Sequence, residues 1–302
     1  MTGITGKTGM HFLDWLVKDP NHVRARYEIR VAVRQNSDRS SLAAAGIAIE
    51  TVVGDLNDPG FVAQACDGVD VVLHIAGIRY SESVLEAGLS RGVPRFVFVH
   101  TTGIYSKHKR AASDYLAIED RIRRKIDGTD TRLTILRPTM IYGTLSDRNV
   151  SRFIRLVDRL PVIPVIRQGR YQLQPVHAKD LGKAYYLVLA CHHLREDEYV
   201  LSGGSMLYMR EMLELIADNL SLSRRVLSVP FVVAYAGAWG LFVGTLGHLD
   251  FRERVQRMCE DRAYPHDDAS RDFGYDPIRF ETGLAEECAA YIEARSGQRI
   301  AR

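Results

Sequence analysis

Four cysteines, Cys66, Cys191, Cys259 and Cys288, lie far apart, with no C-x-x-C pair and no histidine at metal-ligand spacing. This excludes a disulfide framework and a zinc site, and leaves reduced thiols buried as small apolar groups in a cytoplasmic protein. Charge of one sign is lacking as well. Forty Lys and Arg stand against 37 Asp and Glu, interspersed along 302 residues, for a formal net charge of +3. So even a balance argues against a nucleic-acid partner. Low-complexity tracts are absent, and an apolar fraction of 46% with 25% charged residues describes a folded globular chain. The N-terminus has no charged and apolar leader, since a glycine run begins at the second residue, so secretion is not expected. Only Val229 to Leu249 goes without Asp, Glu, Lys or Arg for long enough to concern a bilayer. Interrupted by Pro230, Gly237, Gly240, Gly244 and Gly247, it reads as a buried or interface-forming helix with a loop. Contact with a membrane surface or a greasy partner is the other reading.

What is present is alternation. A helical pattern over Gly9 to Lys18 is followed by a β-rich run at Ile29 to Val33, a helix near Arg39 to Ala45 and a strand at Ile47 to Val53. A helix after Asp58-Pro59 comes next, then the strand Val69 to Ile75, the helix Glu82 to Arg91 and the strand Arg95 to His100. A helix from Ala111 to Lys125 and the strand Leu133 to Leu136 complete the series. Strand and helix taking turns in this way predict an α/β fold, a doubly wound parallel sheet with helices on both faces. Val71-Val72-Leu73 and Phe96-Val97-Phe98-Val99 are continuously apolar, as central strands covered on both faces must be. The pattern loosens after residue 145. Residues 1–145 are read as the nucleotide-binding domain, with 174–201 returning to it, and 146–302 mainly as a smaller, mostly helical substrate lobe.

The run Thr2-Gly3-Ile4-Thr5-Gly6-Lys7-Thr8-Gly9 carries the clearest chemistry. Gly3 lets the chain turn tightly, Gly6 lets backbone approach a pyrophosphate, and Gly9 lets the following helix lie close to the strand. That helix offers free N–H groups and the positive end of its dipole to phosphates. Gly3, Thr5, Gly6, Lys7, Thr8 and Gly9 are therefore candidate dinucleotide contacts. Such a turn normally leaves the end of a buried strand, and only Met1 precedes it here, so a truncated first strand is expected. An acidic residue closing the second strand would accept hydrogen bonds from the ribose of NAD, but Arg34 stands in that place. Arginine pairs instead with a 2′-phosphate, supplemented by Ser37, Arg39 and Lys7, so NADP(H) is expected over NAD(H).

The chain resembles the extended and atypical short-chain dehydrogenase/reductases, grouped as NAD-dependent epimerase/dehydratase or NAD(P)-binding proteins with a Rossmann-like fold. The likeness rests on the glycine run, Gly54-Asp55-Leu56, His74-Ile75-Ala76-Gly77 and Thr101-Thr102-Gly103-Ile104-Tyr105. It continues through Leu136-Arg137-Pro138-Thr139-Met140-Ile141-Tyr142-Gly143, Gln174-Pro175-Val176-His177 with Asp180-Leu181, and Asp272-Phe273-Gly274-Tyr275-Asp276-Pro277. It implies that Asp55 and Leu56 line the adenine, that Ala76 and Gly77 run along the cofactor, and that Pro138, Thr139 and Ile141 hold the nicotinamide carboxamide. It also implies pairing into a homodimer. Asp180 reads as a helix N-cap.

The family's catalytic pattern is a Ser or Thr and a Tyr-x-x-x-Lys, in which the lysine charge lowers the tyrosine pKa and the phenol moves the substrate proton. Thr101 stands where the hydroxyl residue lies, and Tyr115 is the candidate acid/base. Four residues after Tyr115 comes Glu119, not lysine. Aligned on the downstream strand instead, Glu119 matches a glutamate of atypical members, Tyr115 the lysine and Ala111 the tyrosine. Either way the Tyr–Lys pair is broken. Lys107, Lys109 and Arg110, in the preceding loop, are candidates to replace the missing charge. Leu173 and Gln174 stand where nucleotide-sugar enzymes carry an arginine, although Arg167 and Arg170 are near. Three functions follow: an NADP(H)-dependent oxidoreductase or epimerase/dehydratase acting on a small molecule, a non-catalytic NADP(H)-binding regulator or accessory subunit, and a membrane-proximal redox partner.

Overall fold

The structure is a computed structural model that describes residues 1–108, 111–191 and 193–300, with the backbone alone at 111 and 297–300. The glycine run leads into α1 (Lys7–Lys18), a short α2 (Val23–Arg26), β1 (Arg30–Val33), α3 (Ser40–Ala44), β2 (Glu50–Val53) and α4 (Pro59–Ala65). The alternation continues with β3 (Val71–His74), α5 (Ser81–Ser90), β4 (Arg95–Val99), α6 (Ala111–Ile126) and β5 (Arg132–Pro138). Local chemistry starts α4 sharply: the Asp58 side chain accepts the Gly60 N–H, and Pro59 holds the first helical position, where its missing N–H costs nothing. Phe96, Val97 and Phe98 are fully buried, as their unbroken apolar run requires of a strand packed on both faces. α2 was not legible beforehand, and β2 is shorter than its apolar run.

β1 pairs with β2, β3 with β4 and β4 with β5, all parallel. Between β1 and β3 stands Thr2 alone, bridged to Ala32 on one side and His74 on the other. Its N–H donates to Leu73 O at 3.0 Å and its carbonyl accepts from Ile75 N at 3.1 Å, while Met1 O accepts from Ala32 N at 2.8 Å. The place of a central strand is thus held by residues 1 and 2. Towards the amino ends of the strands the gap widens into a cavity of about 880 Å³ lined by Phe12, Tyr27, Ile29, Val71 and Leu73. Ligands of open α/β sheets bind at the carboxyl ends, so this cavity is not the cofactor cleft.

The second half brings β6 (Ile141–Tyr142), α7 (Val150–Arg159), β7 (Val162–Ile166), β8 (Gln172–Leu173), β9 (Val176–His177), α8 (Ala178–Ala190) and β10 (Glu198–Leu201). There follow β11 (Leu207–Tyr208), α9 (Met209–Asn219), β12 (Arg225–Val229), α10 (Phe231–Gly244), α11 (Arg252–Arg257), α12 (Asp267–Phe273) and α13 (Phe280–Ile300). The chain re-enters the first domain through α8, whose Leu181, Ala184 and Tyr185 share a core with Phe12 and Leu16 of α1, and through β10, parallel to β5. Ala269, Phe273 and Tyr275 join that core too. The lobe packs Val150, Ile154, Ile163, Leu213, Ile216, Phe280 and Leu284 into a second core. It is less purely helical than expected, because β7–β12, β8–β11 and β6–β9 each form a two-stranded ladder.

Two readings are corrected. Asp180 is not the cap of α8: His177 occupies that position and its ring accepts the Lys179 N–H, while Asp180 sits in the first turn and accepts the Ile278 N–H at 3.2 Å. The Val229 to Leu249 segment is not buried. Ala238 alone in α10 is buried, whereas Val232, Val233, Trp239, Leu241 and Val243 are exposed, because the lobe's own core is already closed by α7, α9 and α13. Of the cysteines, Cys66 and Cys288 are buried as expected, Cys191 and Cys259 only partly.

Candidate cofactor and catalytic site

At the carboxyl end of the sheet the chain turns at Gly3 (φ +79°), where a side chain would press its Cβ to 2.8 Å from Ala76 N. At Gly9 a Cβ would meet the carbonyl oxygens of Gly3 at 2.3 Å and Ile4 at 2.5 Å. Neither backbone group can yield, so the turn folds this tightly only with glycine. α1 begins here without a capping side chain, and its first turn holds no acidic residue. Uncapped N–H groups and an electropositive helix end, in a cradle that a Cβ would fill, fit a pyrophosphate. Thr5, Gly6 and Lys7 lie on its open side. The Thr8 side chain is turned inward, within 3.5 Å of Tyr185 Oη, so only its backbone serves the cradle. Lys7 Nζ donates to Ser146 O, tying the turn to the loop after β6.

Arg34 follows β1 at the same edge and is exposed. Across from it, Gly54 N donates to Val33 O, and Asp55 accepts both Asn57 N and Asn57 Nδ2 at 2.9 Å, an Asx turn that orders the loop after β2. Leu56 packs against the core cluster of Val62 and Val84. Ile75 and Ala76 sit directly behind Gly3, and Gly77 (φ +56°) follows them. The fold therefore gathers Gly3 to Gly9, Arg34, Asp55, Leu56, Ala76 and Gly77 along one edge. Pro138, Thr139 and Ile141 close the far side, with much of their hydrogen bonding spent internally: Pro138 O accepts from Thr102 Oγ1, Thr139 N donates to Leu201 O, Thr139 Oγ1 to Gln174 O, and Ile141 O accepts from Asn149 Nδ2.

The catalytic candidates have a different setting. Thr101 Oγ1 accepts the Gly103 N–H at 2.9 Å and so caps the turn Thr102–Tyr105. Tyr115 is half-buried on α6. Glu119, one turn further, is 4% exposed and accepts a bidentate pair from Arg137 at 2.6 and 2.8 Å, together with His100 Nδ1 at 2.8 Å. Arg137 also donates to Glu198 at 2.8 Å, and its guanidinium lies over the Tyr105 ring at 5.7 Å. Against the cost of burial, the hydrogen bonds from His100 and Arg137 hold the Glu119 carboxyl down to about 2, and burial lowers His100. Ser81 Oγ lies 3.0 Å from His100 Nε2, so both ring nitrogens have partners. Ser81, His100 and Glu119 stand in the order of a nucleophilic triad, yet Ser81 has no exposure and no substrate reaches it. The cluster is a prop that locks α6 to β4 and β5. With Glu119 turned to the sheet, position 115, one turn earlier, shares its stripe. That rotation keeps Tyr115 on the sheet side of α6 in either alignment and does not choose between them. Lys109 and Arg110 lie outside the described residues; Lys107 N donates to Glu260 at 2.8 Å.

The sequence reading missed His100, detectable only as a polar residue closing a buried apolar strand, and a buried carboxyl pair where the lobes meet. Glu287 accepts Gly143 N at 3.0 Å, and burial together with the neighbouring Asp147 pushes it up to about 8. Among the described residues no cluster suited to a metal ion occurs.

A family model described as NAD(P)H-binding matches residues 3–157. The chain is 26% identical over 194 residues to a ceramide reductase of Caulobacter vibrioides, which covers 60% of this chain and 57% of that protein's length. Among solved structures, a dTDP-glucose 4,6-dehydratase from Streptomyces venezuelae with NAD bound superposes with a TM-score of 0.73 at 22% identity, over 98% of this chain and 97% of that one. The triphenylmethane reductase of Citrobacter sp. complexed with NADP(H) gives 0.71 at 21% identity, over 95% and 98%.

Proposed function

Because the chain belongs to the NAD(P)H-binding family of extended short-chain dehydrogenase/reductase type, we propose that it is an NADP(H)-dependent oxidoreductase whose proton transfer does not run through a Tyr–Lys pair. The observation that carries this reading is the locked Glu119. A carboxylate committed to Arg137 and His100 fills the place of the family's lysine and cannot supply its positive charge. When bound, the reduced nicotinamide supplies hydride; the protein binds and orients it through the backbone of residues 3–9, and Arg34 pairs with the 2′-phosphate. Pro138, Thr139 and Ile141 bound the nicotinamide end. Thr101 and Tyr115 face the substrate side, and Tyr115 gives up the phenolic proton to the product oxygen. The similarity to reductases supports a carbonyl or other two-electron acceptor of small size.

The test is oxidation of NADPH by the full chain against a panel of ketones, aldehydes and quinones. Tyr115→Phe is expected to lower kcat for a carbonyl acceptor by about 10²-fold or more, the range of a lost general acid, with NADPH affinity unchanged. Full activity in that variant removes Tyr115 from the reaction. A second reading, a non-catalytic NADP(H)-binding subunit, is favoured by the engaged Thr101 hydroxyl. NADPH binding without oxidation by any acceptor would decide for it.

A further inference from the structure

We infer that α10 and the turn after it dock the protein onto a lipid bilayer surface bearing anionic headgroups. At 100° per residue, the exposed positions 232, 233, 236, 237, 239, 240, 241, 243 and 244 sweep roughly 200° of the helix circumference, with no polar side chain among them. Leu246, 90% exposed, and Leu249 extend the surface beyond the helix, and Leu227 extends it before. A helix seated in a protein groove presents a stripe of roughly 100° and keeps its other face polar. An apolar arc twice as wide suits immersion in hydrocarbon, which wets every side at once.

Length and charge specify how it lies. Fourteen residues rise about 21 Å, short of the roughly 30 Å of a bilayer core. Among the described residues no helix is long and apolar enough to cross a membrane. The segment therefore lies in the interface. Arginines ring it: Arg225 on the strand leading in, Arg254 on the helix leading out, and Arg167, whose guanidinium sits 5.9 Å from the Phe231 ring, are all exposed. The nearby acids are neutralised, Asp250 by Arg252 at 2.9 Å and Glu253 by Arg257 at 4.0 Å. Trp239, half-exposed, is the aromatic anchor typical of the headgroup level. Three residues past α11, Glu260 accepts Ser106 Oγ, Lys107 N and His108 N, and Tyr264 packs 5.3 Å from Tyr105. The stretch that follows a docked α10 thus holds Tyr105 to His108.

Cosedimentation of the full chain with vesicles of phosphatidylcholine alone, and of an equal mixture with phosphatidylglycerol, reads this without turnover. The protein is expected to pellet with the mixed vesicles, and Trp239→Glu with Leu241→Glu to abolish pelleting while leaving the thermal shift by NADPH intact. The Trp239 emission, defined by subtracting a Trp239→Phe variant, should move to shorter wavelength on vesicle addition and be quenched by brominated lipid. No pelleting with either vesicle, or an unmoved Trp239 emission, overturns the inference. So does light scattering that shows a dimer in solution which the double glutamate variant dissociates, since the face would then belong to a second copy.

Discussion

Two buried carboxylates titrate in opposite senses. Glu119 is held down to about 2 in the folded state, from an ordinary 4.5, by His100 and Arg137. The stability it contributes is present above pH 4.5 and lost as pH falls towards 2. Glu119→Gln should therefore cost about 3 kcal/mol in urea unfolding at neutral pH, the low end for breaking a buried pair, since Glu198 still faces Arg137. The deficit should shrink at pH 3; an equal loss at both would contradict the ion-pair role. Glu287 is pushed up from 4.5 to about 8, so the folded chain holds a proton there that the unfolded chain has released. Stability then declines as pH rises through that window and levels off above it. Glu287→Gln keeps an acceptor for Gly143 N and offers Asp147 a donor, so its melting temperature should exceed that of the parent at pH 8 and match it near pH 4. A lower melting temperature at pH 8 would show that the charged form is the one the fold needs.

At the scale of elements, the glycine turn and α1 make one unit. Gly9→Ala would place a methyl 2.3 Å from a backbone carbonyl, which must either open the turn or push the helix off the sheet. A stability loss of about 1–3 kcal/mol is expected, with the NADPH thermal shift gone. A retained shift would mean that phosphates do not sit on this helix end. This unit was legible in the sequence because each glycine's spacing states a steric need, and the apolar runs of β3 and β4 were legible because burial on both faces leaves no room for polar residues. Of the two readings of α10, buried or interface-forming, burial fails for the complementary reason: uniform hydrophobicity says that a segment avoids water, not what shields it. The lock on α6 was hidden because His100, Glu119 and Arg137 lie on three separate elements, and only the β4–β5 register and the rotation of α6 bring them together. His177, not Asp180, caps α8 because the chain enters that helix from β9 three residues earlier than its charge pattern states.

At the scale of the molecule, the sheet and the lobe meet around a narrow set of polar ties. Lys7 reaches Ser146, Gly143 N reaches Glu287, and Asp180 reaches Ile278 N, all near the carboxyl ends of the strands where a dinucleotide lies across such a sheet. The alternation of strands and helices announced the parallel sheet. It could not announce that a single residue, Thr2, would stitch β1 to β3, since that depends on pairing across the whole sheet. Binding of a phosphorylated dinucleotide at this edge is the claim on which the rest depends, and direct titration with NADPH and NADH, in the parent and in Arg34→Asp, tests it. The parent should prefer NADPH, and Arg34→Asp should lose about 2 kcal/mol of NADPH binding, about thirty-fold in Kd, with NADH binding kept or improved. Equal affinity of the parent for both, or a preference that Arg34→Asp leaves unchanged, would contradict it.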